Sequence, residues 1–154
     1  MRWLKSWWPA LLWAVVISAF STGAFTAEHT SRIIIPILRL LLPYAGPETL
    51  VMLHGLIRKS AHFVEYFILS LLVLRGIRAG RKENHLGWAF VAVGIVAGYA
   101  ALDEFHQSFV PGRTAAVADV LLDTGGGVAA QLVAALVLFW RDVRAERKSK
   151  PQAP

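Results

Sequence analysis

The stretch LGWAFVAVGIVAGYAALDEFHQ, residues 86–107, decides the fold. Its first part, Leu86 to Leu102, is seventeen residues without a charge, and the polar block Asp103-Glu104-Phe105-His106-Gln107 follows at once. An uncharged run of that length reads as a helix through a bilayer, because about 20 residues cover about 30 Å of hydrocarbon. Ionisable groups at the end of such a helix need a partner or water, so they mark a functional site by default. Arg113, Asp119 and Asp123 come soon after, and then a new apolar run begins.

Working outward, three further apolar stretches appear. The first is about 7–25. The second is Ser60 to Leu74, bounded by Arg58-Lys59 and Arg75. It reaches spanning length as about 50–74 if its helix starts upstream near Pro47-Glu48, a proline-and-acid start that suits a helix N-terminus. With the third span at 86–106, the fourth is 115–140 and holds Asp119 and Asp123 near its start. Hydrophobic residues make up 56% of the 154-residue chain and the mean hydropathy is +0.51, above a soluble domain. The expected architecture is all-α: an integral membrane four-helix bundle in one domain, residues 1–140. Between spans one and two, Ile33 to Pro43 is apolar apart from Arg39 and too short to cross, which suggests an interfacial or re-entrant helix. Residues 141–154 read as a charged cytoplasmic tail, a short helical extension that frays.

Charge sets the expected orientation. Of the 16 Lys and Arg, eleven lie in the N-terminus, in Arg75 to Lys82 and after Trp140; Arg32, Arg39, Arg58, Lys59 and Arg113 fall on the other side. Basic residues favour the cytoplasmic side, so both termini are expected there and the acidic block outside. Trp3, Trp7, Trp8 and Trp140 lie at the ends of apolar runs, as an interfacial belt would place them. The first span also fits a cleaved signal peptide, although its loss would spoil the charge alternation. The net charge of +6 is explained by flanking residues rather than by a basic stripe, which argues against a nucleic-acid partner. There is no cysteine, which excludes thiol catalysis, disulfides and Cys-based zinc sites.

The ionisable residues repeat at helical spacing. Lys59, His62, Glu65, Tyr66 and Leu69 share one face of the second span. Tyr99, Asp103 and Gln107 share a face of the third, with Glu104 beside it. Arg113 follows the tight turn Pro111-Gly112, placed to neutralise Asp103 or Asp119. Asp119 and Asp123 lie one turn apart, and Gly125-Gly126-Gly127 continue near that face. Three glycines inside a helix cost about 1 kcal/mol each against alanine, acceptable where another helix comes close. Gly94 and Gly98 of the third span are the expected opposing surface, a contact that would bring Asp103 near Asp119. Each charge taken alone has a plainer reading, such as Glu65 pairing with Lys59 or Arg58.

Two motifs carry a resemblance. Residues 58–69, Arg-Lys-Ser-Ala-His-Phe-Val-Glu-Tyr-Phe-Ile-Leu, are similar to the R-K-x-x-H-F-x-E-Y-x-x-L signature of the VanZ-like family of bacterial membrane proteins. Residues 103–113, Asp-Glu-Phe-His-Gln-Ser-Phe-Val-Pro-Gly-Arg, with Asp119, Asp123 and Gly126 following, resemble that family's second motif. The resemblance implies a multi-pass protein of the bacterial cytoplasmic membrane and an association with teicoplanin resistance.

Three functions compete. In an envelope enzyme, His62 with Asp103 or Glu104 would be the catalytic candidates. Arg58, Lys59, Glu65, Tyr66, Gln107, Arg113, Asp119 and Asp123 would line the ligand site, and a divalent cation could bridge Asp103, Glu104 and Asp119 to a phosphate. No nucleophile elbow, phosphate loop or HExxH spacing is present. In a non-catalytic binder, the same pocket would hold an envelope lipid, a lipid-linked wall precursor or a glycopeptide. In a latch, the charges would only fix helix packing. The sequence assigns no cofactor, no metal ligand set and no oligomeric state.

Overall fold

The computed structural model describes residues 2–22, 25–79, 85–110 and 116–149. They form five helices: α1 (Arg2–Phe20), α2 (Ala27–Leu41), α3 (Pro47–Arg78), α4 (His85–Gln107) and α5 (Val117–Ser149). Among the described residues, three helices are long and apolar enough to cross a membrane: those at Pro47–Arg78, Leu86–Gln107 and Val117–Ala145. α1 is a shorter apolar helix. It stops at Phe20, not near residue 25 as its composition suggested.

α3 starts where the Pro47-Glu48 signal places it, with Pro47 in the first turn behind the cap Gly46. It ends at Ala79, whose left-handed backbone (φ 41°) sends its N–H back to the Arg75 carbonyl. α2 is capped by Thr26, with Glu28 in its first turn and Arg39 in its last, an order that suits the helix dipole. None of its residues is buried.

α3 is the central element, touching α1, α2, α4 and α5. Its contact with α5 relies on glycine. A Cβ at Gly126 would overlap the carbonyl oxygen of Phe63, and one at Gly127 would sit 2.8 Å from Val96 of α4. Gly94 and Gly98 have nothing within 4 Å of such a Cβ. The close approach therefore joins α5 to α3, not to a glycine face of α4. A deep polar clasp secures it: Gln131 donates from Nε2 to the Ser70 hydroxyl (2.7 Å) and carbonyl (3.2 Å), and the hydroxyl donates to the Gly127 carbonyl (3.0 Å).

α1 runs antiparallel along α3. Trp7 covers Gly76, where a Cβ would meet the indole at 2.7 Å, and the Trp13 indole donates to the Glu65 carbonyl (2.9 Å). Ile17 joins Tyr66, Leu69, Val73, Val96 and Ala100 in the core. Trp7 is thus partly buried against the core, whereas Trp8 and Trp140 are exposed. α3 begins, α4 ends and α5 begins at the same end of the bundle, so that end collects the polar residues.

Candidate functional site

At that end the expected single cluster divides into two layers. The inner layer centres on Asp103, which is 7% exposed. Its Oδ2 accepts hydrogen bonds from Ser21 of the α1 end (2.7 Å), Gln107 (2.8 Å) and Tyr66 (3.3 Å). Gln107 also donates to Ser21 (3.3 Å), which closes the ring. Tyr66 is completely buried, and Tyr99 beside it donates to the Ala14 carbonyl (2.6 Å). Asp103 is thus held by protein donors from three helices.

The outer layer surrounds a cavity of about 400 Å³ between α3, α5 and the start of α2. His54, Arg58, Lys59 and His62 line it from α3, each within one turn of the next, and Asp119 and Asp123 face them from α5. Gln107 lines the cavity as well and so connects the two layers. Arg58 is braced: its Nη1 donates to the Phe25 carbonyl and to the Thr30 hydroxyl, both at 2.9 Å. The same hydroxyl lies 3.1 Å from Nε2 of His54. The Nδ1 of His62 lies 3.7 Å from a Glu65 carboxylate oxygen one turn on. Asp123 lies deeper in the cavity wall than Lys59 or Asp119. It is 4% exposed, and its Oδ1 has no hydrogen-bond partner among the described residues.

Several sequence expectations change in consequence. Asp103 does not line the cavity, and Tyr66 is buried and donates to Asp103. Glu104 turns to the chain after the loop, accepting the Ala116 N–H from just before α5. With Asp103 and Glu104 so engaged, the described side chains do not form the cation bridge imagined across Asp103, Glu104 and Asp119. Among the described residues no group of three His, Asp or Glu is arranged around a metal position. A Glu65 carboxylate oxygen lies beside His62. Arg113, with Pro111 and Gly112, lies outside the described residues.

The sequence reading missed His54 and Ser21. His54 was detectable, since His54, Arg58 and His62 recur at spacing four, but the motif was read only from Arg58 onward. Ser21 gives no such signal; only the packing of α1 brings it to Asp103.

An all-helical chain with three helices of membrane-spanning character and a charged cavity at one end of its bundle defines the class. A family model described as VanZ/LLP1 matches residues 5–139, and the chain belongs to that family. Comparison with curated proteins and with solved structures returned no match.

Proposed function

We propose that the protein binds the charged headgroup of a cell-envelope component, such as a lipid-linked wall precursor, in the cavity between α3 and α5. The observation that carries this is Asp123. A carboxylate oxygen that is buried, unpartnered among the described residues and set in a cavity opposite Arg58 and Lys59 is costly unless a ligand or water completes it. Cations on one wall and acids on the other suit a headgroup that carries a phosphate together with hydroxyl or ammonium donors. A glycopeptide is the other ligand, since it offers a carboxylate together with hydroxyl and ammonium donors.

The membrane arrangement belongs to the same proposal. α1, with 19 residues, rises about 28 Å and can serve as a fourth span. Lys5, Arg75, Arg78 and the basic residues of α5 beyond Trp140 gather at the end opposite the cavity, which supports cytoplasmic termini and an extracytoplasmic site. The unburied, apolar α2 lies on the membrane surface in this arrangement.

One observation favours chemistry in addition to binding. His62 lines the cavity with a Glu65 carboxylate oxygen 3.7 Å from its Nδ1, a gap that a small side-chain shift would close into the hydrogen bond by which a carboxylate orients an imidazole for proton transfer. Binding and turnover are separable. Purified protein in nanodiscs, titrated with a lipid-linked wall precursor, should bind it at least tenfold less tightly as Lys59→Ala or Asp123→Asn, a change of about 1.4 kcal/mol or more. Equal affinity in both variants would remove the proposal. Product formation that His62→Gln abolishes while binding persists would make the protein an enzyme.

A further inference from the structure

The polar cavity has an apolar neighbour. A second, mainly apolar cavity of about 230 Å³ opens between α2 and α3, lined by Phe20, Phe25, Ile34, Ile57 and Ala61, and also by Thr30 and Glu65. Arg58 and His62 line both cavities, so the two spaces meet at these side chains. On one side of them is a charged chamber; on the other is a hydrocarbon-compatible groove walled partly by the amphipathic helix α2. Arg58 is held at the junction by the Phe25 carbonyl and the Thr30 hydroxyl, so the strand of chain that enters α2 supports both spaces.

A charged chamber alone would suit any soluble anion. The adjoining groove adds a requirement for a long apolar group attached close to the charge, within one molecule. We propose that the ligand is an anionic lipid taken laterally from the bilayer, with its headgroup at Lys59 and Asp123 and one hydrocarbon chain between α2 and α3. This inference rests on the headgroup reading above and adds the ligand's chemical class to it. Arg58 and Lys59 on one wall offer partners for a phosphate, Asp119 and Asp123 on the other accept from its hydroxyl groups, and the continuity of the groove with the chamber selects the lipid over a free phosphate ester or a soluble peptide. Residues such as Ile57 and Ala61, exposed on α3, gain an occupant in the groove.

The test uses the full chain in phosphatidylcholine nanodiscs that contain a phosphatidic acid with a diazirine at the end of one acyl chain. After illumination, label should concentrate in peptides carrying Ile34 and Ile57 to Ala61. Unlabelled phosphatidic acid should reduce it at least fivefold, and added phosphatidylcholine should not. In Ala61→Trp, whose indole fills the groove, that competable label should disappear. In Lys59→Ala it should fall because the headgroup is no longer held. Label spread evenly over the lipid-facing helices, with no competition, overturns the lateral-lipid inference. Competition that needs Lys59 but maps away from α2 and α3 overturns the groove and leaves the headgroup reading standing. Groove labelling that ignores Lys59 overturns the headgroup reading instead. The mapping on the unaltered chain decides the matter even if the Ala61→Trp protein does not fold.

Discussion

Two aspartates, twenty positions apart in sequence, have opposite physical situations. Asp103 satisfies Ser21, Tyr66 and Gln107, so truncating it orphans three donors in a buried place. Asp103→Ala should lower stability by about 1–3 kcal/mol, the cost of unsatisfied buried groups, visible as a reduced thermal unfolding midpoint in detergent. Asp123→Asn replaces a buried carboxyl whose Oδ1 satisfies no described donor, so its midpoint should stay level or rise while ligand affinity falls. If both substitutions destabilise equally, the division into an inner brace and an outer binding layer is wrong. Sequence periodicity could not draw that division. It correctly grouped Asp119 with Asp123, and Asp103 with Gln107, because each pair is one helical turn apart. It put Tyr66 on the face of His62 and Glu65, whereas Tyr66 is buried and joins Ser21 and Gln107 in holding Asp103.

At the level of helices, the contact between α3 and α5 depends on the absence of a side chain. Gly126→Ala should force the helices apart and cost about 1–3 kcal/mol by overpacking, whereas Gly94→Ala has open space beside it. Gly94→Ala should be neutral or stabilising by up to about 1 kcal/mol from helix propensity. Thermal unfolding of the two variants checks the pair, and the reverse order would contradict the packing. The glycine triplet was legible as a site of close approach; its partner was not. Gly94 and Gly98 offered a matching small-residue face, but a small face only permits contact, and the backbone at Phe63 took the place instead. The start of α3 was legible because Pro47 and Glu48 are local signals. The end of α1 was read too late: Ser21-Thr22-Gly23 follows Phe20, but the return of apolar residues at Ala24-Phe25 hid the stop. Ile17 of α1 and Ser21 just after it are both buried.

For the whole molecule, the proposed orientation places the cavity outside and the basic ends of α3 and α5 inside. The chain contains no cysteine, so single-cysteine variants need no background removal. In intact cells a membrane-impermeant maleimide should label Thr49→Cys, at the start of α3, and should reach Asp142→Cys, far along α5, only after lysis. The opposite pattern would invert the protein and turn the cavity inward. The class of fold was readable from apolar runs and flanking charges alone. The detailed site was not, because it depends on how helices from distant parts of the chain rotate against one another.

That rotation is settled deep between α3 and α5, where Gln131 grips Ser70. A carboxamide on an isolated helix is poorly tolerated among lipid tails. Biogenesis therefore has a preferred order: α3, synthesised first, waits with its serine, and α5 gains its full tolerance for the bilayer only on meeting it. A chain interrupted before residue 131 would leave Ser70 without its clasp and α5 without its register, so the headgroup chamber would be among the last features of the nascent protein to take shape.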